Sequence, residues 1–461
     1  MPRRTIPFGS FGSLAPEDFV RYEVIHAIDP TDKDFCKTIK IGAPKVVEYG
    51  SPSRDADVLD VELDPENREA ELERLKTMVS GTTATGKAEP RIGTIAIQRF
   101  RAFRELKIEG LGRVNLITGR NNSGKSTVLE ALRILASGAS PSVINDILHY
   151  REEDIGEPEE QGRPVDIEGL FQVSTLFNGF PRLSESAAPI VISTNGGQRP
   201  MSLTLVTGWF SEERGLEGIK LVPQEANLFG EPEGVPALVV VIGNARRVFT
   251  LDYLRRTSYR PGLSRSVPAD EARMACIFVS PYGGERTATL GPLWDKIALS
   301  DREKDVVEAL RIIDPEISAV SMVGGESVRK PRTAIVRSSN ISRPVSLRSF
   351  GDGLNRLFGI VLSLVNAKDG LLLIDEFENG MHHTVQFDVW RTVFALAQKL
   401  DIQVFATSHS WDSIEAFQKA AAEAPEEGVL VRLSRKGDDI IPTLLRKDEL
   451  AVATRDRIEV R

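Results

Sequence analysis

The chain has little cysteine, no long apolar run and no excess of basic residues. Its two cysteines, Cys36 and Cys276, lie far apart and belong to no Cys-x-x-Cys or Cys/His pattern, so we expect neither a structural zinc site nor a disulfide framework. Apolar stretches such as 239–242 and 357–365 are too short to span a bilayer, and no signal-peptide core follows Met1. These absences predict a cytoplasmic protein without a membrane segment.

The formal net charge of −8 argues against a globally basic nucleic-acid coat, although local basic patches remain compatible with it. The 461 residues suffice for a large core and two or three structural units. Residues 1–90 show no sustained periodicity apart from a possible helix over Glu66–Met78, and we interpret them as an N-terminal extension that is partly flexible. Apolar alternation begins at Ile92, which places the start of the main domain near residue 91.

The strongest motif joins an apolar strand, Val114–Thr118, to a glycine-rich loop and then to a helix predicted over Thr127–Ser137. In the pattern Gly-x4-Gly-Lys-Ser, the glycines let backbone N–H groups curl round phosphates, while Lys125 supplies a cation and Ser126 a magnesium ligand. The sequence therefore predicts an ATP and Mg²⁺ site that contains Gly119, Arg120, Asn121, Asn122, Ser123, Gly124, Lys125, Ser126 and Thr127.

Two later segments supply the remaining chemistry of a nucleotide hydrolase. The apolar strand Leu371–Ile374 ends in Asp375, which can hold Mg²⁺, and Glu376, which can orient or deprotonate the attacking water. His409 follows the next predicted strand, at the carboxyl edge where doubly wound sheets bind ligands, and it is the candidate γ-phosphate sensor. Taken alone, the two acids fit a solvated turn equally well, and a single histidine is more often structural.

The order of predicted elements indicates an α/β fold with a mostly parallel core sheet, helices on both faces, an antiparallel β lobe and an inserted helical segment. Core helices are predicted over Asp352–Ala367 and Thr384–Lys399, with the strand Gln403–Ala406 after them. The lobe is predicted from one helix, Asp301–Ile313, and from strand-like stretches at Val165–Val173, Ile190–Ile192, Leu203–Val206, Gly218–Val222 and Ala237–Ile242. Short strands are expected around Gly324-Gly325 and Pro331, and short strands with a last helix after Gly428.

Five stretches resemble the ABC-type AAA ATPases of the SMC and OLD clan, in particular OLD-like ATPases that lack a Toprim nuclease domain. They are Ile95–Phe103, Gly119–Ser126, Ser349–Arg356, Ile374–His382 and Thr407–Ser410. The resemblance implies a nucleotide-binding core over residues 91–140 and 345–461, with the lobe inserted over 141–344. A Toprim domain is not expected, because only 52 residues follow His409.

The same resemblance implies that Ser349, Gly351 and Gly353 form a signature motif that reaches the nucleotide of a second copy in a head-to-tail dimer. The segment departs from the usual Leu-Ser-Gly-Gly form, so either Ser349 or Gly351 could take the serine position. Asn379–His382 corresponds to the loop that couples the two sites. Any nuclease or toxic output would then come from a separate effector protein.

Duplex DNA is a further candidate partner. Residues 91–135 carry nine Lys or Arg against three Glu, a local net of +6 that suits either phosphate contact or an ordinary solvated face. A second basic patch mixes arginine with aromatic residues, which suits nucleic acid, a protein-docking surface or an exposed helix. Its members are Arg246, Arg247, Phe249, Tyr253, Arg255, Arg256, Tyr259, Arg260 and Arg265.

Other interpretations remain open. A RecF or SMC-like DNA clamp fits the motifs, but no heptad stretch predicts a coiled-coil arm. A transporter ATPase subunit fits less well, because the signature is irregular. GTP specificity is disfavoured, because Asn366–Asp369 lacks the guanine-reading Asn-Lys-x-Asp pattern. Adjacent His382 and His383 point in different directions and predict no metal site. Neither Gln161 nor Gln172 is a decisive magnesium sensor.

Overall fold

In this computed structural model the chain divides into two compact units, Met1–Ala88 and Glu89–Arg461. The structure describes residues 90–153, 173–181, 187–197, 200–215, 218–223, 234–251, 253–254, 274–281, 287–311, 314–324, 332–424 and 428–461, with four short strands before them. In the first unit, β1 (Arg3–Pro7) pairs antiparallel with β4 (Val58–Glu62), and β2 (His26–Ala27) with β3 (Cys36–Lys37). The predicted helix Glu66–Met78 lies outside the described residues.

The described strands and helices of the second unit are as follows. The strands are β5 (Thr94–Phe100), β6 (Phe103–Glu109), β7 (Val114–Gly119), β8 (Ile190–Asn195), β9 (Met201–Gly215), β10 (Gly218–Pro223), β11 (Val235–Ile242), β12 (Ala245–Thr250), β13 (Cys276–Val279), β14 (Ile317–Val323), β15 (Thr333–Ser338), β16 (Val345–Ser346), β17 (Leu371–Ile374), β18 (Gln403–Thr407), β19 (Gly428–Lys436) and β20 (Asp439–Leu445). The helices are α1 (Lys125–Ser137), α2 (Pro141–Tyr150), α3 (Thr287–Asp295), α4 (Asp301–Leu310), α5 (Asp352–Asn366), α6 (His383–Lys399), α7 (Trp411–Glu423) and α8 (Lys447–Arg455).

The core sheet has the strand order β13-β17-β18-β7-β19-β20. Its pairs are parallel except the last, in which β19 and β20 form an antiparallel hairpin. Strands β7, β17 and β18 are buried along their whole length, which accounts for their continuous apolar sequences. Because parallel strands end at the same edge, the segments after β7, β17 and β18 lie together.

A second, antiparallel sheet has the order β12-β11-β9-β8-β5-β6, with β10 paired to β9. Strand β5 has the alternating burial that is typical of a sheet with one buried face. Its inward residues Ile95, Ile97 and Phe100 are buried, whereas the residues between them are more exposed. A smaller sheet, β14-β15-β16, lies between α4 and α5 in the chain. The predicted fold class is confirmed, with a parallel core, covering helices and an antiparallel lobe.

Some strands do not belong to the sheet that the predicted division into core and inserted lobe would assign to them. Strands β5 and β6, within 91–140, belong to the antiparallel sheet, and β13, within 141–344, forms an edge of the core sheet. The predicted helix Asp301–Ile313 ends at Leu310. The predicted strand Val165–Val173 is not supported at its one described residue, because Val173 is helical. The division into core and insert therefore stays a prediction.

Apolar clusters cover the two faces of the core sheet. On one face, α5, α6 and α7 pack through residues such as Phe358 and Trp390, and the Trp390 ring stacks on Phe377 with 3.7 Å between centroids. On the other face, α1 and α2 pack with the antiparallel sheet through Leu129 and Leu132. This packing fixes the start of α1 and the turn after β17, which contain the candidate site.

Candidate nucleotide-binding site

The loop between β7 and α1 has the backbone conformation that a phosphate-binding loop requires. Gly124 has φ +89°, and a Cβ there would lie 2.6 Å from the Phe103 ring. Gly119 has φ +147°, and its Cβ would lie 2.5 Å from the carbonyl oxygen of Leu433. Asn122 also has positive φ, at 63°. Helix α1 begins with no side-chain cap and no acidic residue in its first turn, so its N-terminal N–H groups suit phosphate oxygens.

The Lys125 ammonium group lies against this loop. Its Nζ donates to the carbonyl oxygens of Gly119 at 2.8 Å and Arg120 at 3.2 Å. Burial lowers the pKa of Lys125, and the carboxylates of Asp375 and Glu376 oppose that shift. The cation is thus held where the phosphates of a nucleotide would bind.

The magnesium residues predicted from separate motifs lie in contact. Ser126 Oγ donates to Asp375 Oδ1 over 3.1 Å, and Thr407 Oγ1 donates to the same oxygen over 2.5 Å. The Thr407 hydroxyl also accepts from the backbone N–H of Glu376 at 2.8 Å. One hydroxyl on β18 therefore fixes both acids after β17. A hydroxyl and a carboxylate oxygen side by side are ligands that Mg²⁺ accepts, so Ser126 and Asp375 can hold it.

Burial raises the pKa of Asp375, and the hydrogen bonds from Thr407 and Ser126 only partly offset that rise. The folded protein therefore favours the protonated form more than the unfolded chain does. As pH rises from the ordinary pKa of an aspartate through the raised folded value, the folded state loses stability relative to the unfolded state. At neutral pH the Asp375 carboxylate costs stability that a bound cation would restore.

We expect Asp375→Asn to raise the free energy of unfolding by about 0.5–2 kcal/mol at neutral pH in a chelator, while abolishing Mg²⁺-dependent hydrolysis. Asparagine keeps an oxygen that accepts from Ser126 and Thr407 but carries no charge to desolvate. Thermal unfolding of the two proteins between neutral and acidic pH measures this difference, which should shrink as the wild-type carboxyl becomes protonated. A variant less stable than wild type at neutral pH would contradict the assignment.

Glu376 lies at the same edge in an unusual backbone conformation. Its φ is 47°, a value that side-chain-bearing residues adopt at some energetic cost. Asn379 Nδ2 donates to Glu376 Oε2 over 2.6 Å and to the Pro281 carbonyl over 3.1 Å. The carboxylate is partly exposed and held by an amide, which suits a group that orients or deprotonates water.

Arg356 is a residue of this site that the sequence did not predict. It lies in α5, is 2% exposed, and its guanidinium group donates to the backbone carbonyls of Asp375 at 3.1 Å and Glu376 at 3.3 Å. It also donates to the Ser280 carbonyl. The strained turn is therefore held by the helix that follows the signature segment. In the sequence, Arg356 ends one of the five stretches that carry the family resemblance, but nothing there indicates its contact with the acidic turn.

We expect Arg356→Lys to lower the free energy of unfolding by about 1–3 kcal/mol, because one ammonium group cannot serve three carbonyls and a buried acceptor loses its donor. The rate of hydrolysis should fall more than ATP affinity, since the turn that carries Glu376 loosens. Arg391→Lys, at an exposed pair with Asp388, is the matched control and should change stability by less than about 0.5 kcal/mol. Equal effects of the two substitutions would refute this role.

His409 is placed by a second buried acid. Glu378 is 8% exposed, and its Oε1 accepts from the backbone N–H groups of His409 at 2.9 Å and Ser410 at 3.1 Å. His409 Nδ1 lies 3.1 Å from the same oxygen, while its ring is half exposed. The histidine thus extends from the edge that carries Asp375 and Glu376, as a γ-phosphate sensor would.

The signature segment is a 3₁₀ turn, Leu347–Phe350, that leads into α5. Ser349 and Gly351 are exposed, and a Cβ at Gly351 would meet no atom within 4 Å. Gly353 lies by the carbonyl of Gly380, at 3.4 Å from a built Cβ. The segment is therefore adjacent to the loop Asn379–His382 of its own chain, with its exposed side open.

Five of the nine basic residues in 91–135 form ion pairs with carboxylates of the same chain. Arg91 and Arg113 pair with Asp401 at 2.5 and 2.7 Å, and Arg101 pairs with Glu130 at 2.6 Å. Others in ion pairs are Lys107, with Glu109, and Arg133, with Asp146. The local charge of +6 therefore overstates what could contact DNA.

The second basic patch is only partly described. Arg246, Arg247 and Phe249 lie on strand β12, so the helical interpretation is wrong there. Phe249 is 9% exposed and stacks on Tyr253, which leaves its ring unavailable to a base. The residues outside the described part of the chain are Arg255, Arg256, Tyr259, Arg260 and Arg265.

Among the described residues, no group of three or more His, Cys, Asp or Glu could hold a metal ion, which includes the neighbourhood of His382 and His383. Gln161 and Gln172 lie outside the described residues. No helix in the described ranges is long and apolar enough to cross a membrane.

Two protein-family models match segments of the chain that contain these residues. A model described as AAA domain matches residues 94–175, and one described as AAA domain, putative AbiEii toxin, Type IV TA system matches 282–414. These ranges hold strand β5 with the phosphate-binding loop, and Asp375 with His409. The chain is an AAA-domain ATPase.

Two relatives and one structure illustrate the similarity of this ATPase to known proteins. It is 25% identical over 352 residues to an ATP/GTP phosphatase of Helicobacter pylori, covering 72% of this chain and 89% of that protein. It is 30% identical over 95 residues to an uncharacterized Methanocaldococcus jannaschii protein, covering 20% of this chain and 82% of that protein. An Smc head domain bound to the C-terminal domain of ScpA, derived from Pyrococcus furiosus, matches with a TM-score of 0.43 and 10% identity, covering 80% of this chain and 100% of that chain.

Proposed function

We propose that this ATPase is a Mg²⁺-dependent switch of the OLD-like type, in which ATP joins two copies head to tail and hydrolysis releases them. Lys125 and the loop Gly119–Thr127 bind the triphosphate, and Ser126 and Asp375 hold Mg²⁺. Glu376 activates water and His409 contacts the γ-phosphate. The observation that carries this proposal is the contact of Ser126 and Thr407 with one oxygen of Asp375, next to Glu376.

The dimer is supported by the exposure of the signature segment. Ser349 and Gly351 are open on the surface, and α5, which begins there, holds the turn of Glu376 through Arg356. A nucleotide of the partner copy that contacts Ser349 or Gly351 would thus act on a helix tied to the catalytic turn. Such an arrangement couples binding at one site to hydrolysis at the other.

The biological role that we propose is a cytoplasmic sensor or regulatory subunit in DNA-linked defence or repair, which acts through a separate nuclease or effector protein. A RecF or SMC-like DNA clamp is the alternative within the same chemistry, and a transporter subunit is the alternative outside it. ATP is the proposed substrate. GTP is to be tested beside it, because the Helicobacter pylori relative is named an ATP/GTP phosphatase.

The test is phosphate release from Mg²⁺-ATP by the purified protein, with and without linear duplex DNA, against Glu376→Gln as background. Stimulation by DNA supports the DNA-linked role, and hydrolysis indifferent to DNA favours a protein-triggered regulator. Faster GTP than ATP hydrolysis would overturn the proposed substrate. Release no greater than in Glu376→Gln under every condition would overturn the proposed hydrolytic cycle.

A further inference from the structure

A basic pocket lies beside the phosphate-binding loop and shares residues 120–123 with the nucleotide site described above. It has a volume of about 410 Å³, and one wall is the loop itself, from Arg120 to Ser123. The opposite wall is the end of β19, with Arg432 and Arg435, and Arg461 closes it. We call this the arginine pocket.

The arginine pocket lies on the other flank of the loop from the magnesium residues. Strand β7 has β18 on one side and β19 on the other. Thr407 is the last residue of β18 and His409 follows it, whereas Leu433 of β19 pairs with Gly119. The Mg²⁺ residues and His409 therefore lie away from this pocket, which shares only residues 120–123 with the triphosphate site.

The charge in the arginine pocket is unbalanced. The Arg461 guanidinium group donates two hydrogen bonds of 3.1 Å to Glu459, and the Arg461 backbone N–H donates a third of 2.9 Å. These bonds, helped by Arg432, lower the pKa of Glu459. Among the described residues, no carboxylate forms a salt bridge with Arg120, Arg432 or Arg435. Like charges gathered round one cavity repel unless an anion lies between them.

Two of the residues that line the pocket also carry a buried polar atom without a hydrogen-bond partner among the described residues. These atoms are Nε of Arg432 and Oγ of Ser123, and Ser123 is only 3% exposed. Buried donors without acceptors are costly, and guanidinium groups with a hydroxyl are the donors that phosphate oxygens accept. Both the charge and the unsatisfied donors therefore point to the same kind of ligand.

We propose that the arginine pocket is a second phosphate-binding site, which takes a phosphate of a nucleic-acid backbone or of a free phosphate ester next to the bound ATP. This inference rests on the proposed function, because residues 120–123 belong to both sites. A phosphate bound there contacts the ATP loop directly, which gives the ligand a physical route to change the rate of hydrolysis.

The test is the double variant Arg432→Gln with Arg435→Gln, titrated with a short fluorescent DNA duplex in the absence of nucleotide. We expect duplex affinity to fall about tenfold or more, because charged hydrogen bonds are lost. The slope of log affinity against log salt should become shallower by about 2, at about 0.9 for each phosphate contact. Arg455→Gln with Arg457→Gln removes the same charge from exposed positions outside the pocket and should leave both quantities near wild type.

A second experiment separates the two sources of phosphate. Pyrophosphate is titrated by calorimetry into Lys125→Ala protein, with and without the double substitution. Loss of duplex binding supports a nucleic-acid ligand, and loss of pyrophosphate binding alone supports a free phosphate ester. If the double substitution leaves the binding of duplex and of pyrophosphate unchanged, the inference is overturned. It is also overturned if the double substitution raises only the KM for ATP and affects neither probe. If Lys125→Ala hydrolyses ATP at the wild-type rate, the proposed function fails. The duplex titration is made without nucleotide, so it still tests in that case whether the pocket binds phosphate.

Discussion

Replacing Glu376 by glutamine should slow ATP hydrolysis on the order of 10²–10⁴-fold, the usual contribution of a positioned general base. ATP binding should persist, because Lys125, Ser126 and Asp375 are untouched. The amide can still accept from Asn379, which donates to Glu376 Oε2 in the wild type at 2.6 Å, so the turn should keep its conformation. Phosphate release under single-turnover conditions, together with equilibrium binding of a fluorescent ATP analogue, measures the two effects separately.

Glu308→Gln is the matched control, because Glu308 is exposed on α4, away from the site. It should hydrolyse ATP at the wild-type rate. Weakened ATP binding by Glu376→Gln, or a rate reduced less than about tenfold, would show that Glu376 is not the base.

Replacing Lys125 by alanine should lower kcat/KM for ATP on the order of 10²–10³-fold, as expected when one aligned donor to a developing charge is removed. The wild-type ammonium group contacts the carbonyls of Gly119 and Arg120, so it is already held at the loop and costs little reorganisation. Unlike Glu376→Gln, this variant should also bind ATP weakly. The same two assays therefore distinguish the two roles.

Lys107→Ala, at an exposed lysine on β6, is the control for the loss of a positive charge. It should leave both measurements unchanged. Normal ATP binding by Lys125→Ala would contradict the placement of the triphosphate in this loop.

The sequence predicted those parts of the site whose chemistry is carried by consecutive residues. The loop Gly119–Thr127 and the acids Asp375 and Glu376 have diagnostic residue types next to an apolar strand, and the structure brings them to one edge of the core sheet. The helices α5 and α6 were predictable because their apolar periodicity is long and regular, and the strands β17 and β18 because short apolar runs mark buried strands. Burial on both faces reinforces that pattern.

The parts that sequence did not predict depend on long-range contacts. Arg356 looks like an ordinary helical arginine in the sequence, and only the structure shows that it donates to three backbone carbonyls. Glu378 looks like any other acidic residue in the sequence, and only the structure shows that it accepts from two N–H groups after β18. Strand β13 joins the core sheet by pairing with β17, whose residues lie 95 positions later in the chain, and no local pattern reveals that partner. The ion pairs that occupy Arg91, Arg101 and Arg113 are likewise visible only in three dimensions.

The central claim is that ATP joins two copies through the signature segment, and sedimentation velocity of Glu376→Gln with and without Mg²⁺-ATP tests it most directly. We predict a shift from monomer to dimer on addition of ATP, which is absent in Lys125→Ala. The shift should also disappear when Ser349→Arg is added, because that exposed side chain would obstruct only a partner copy. A sedimentation coefficient that ATP does not change in a protein shown to bind it, or a dimer that Ser349→Arg leaves intact, would contradict the account.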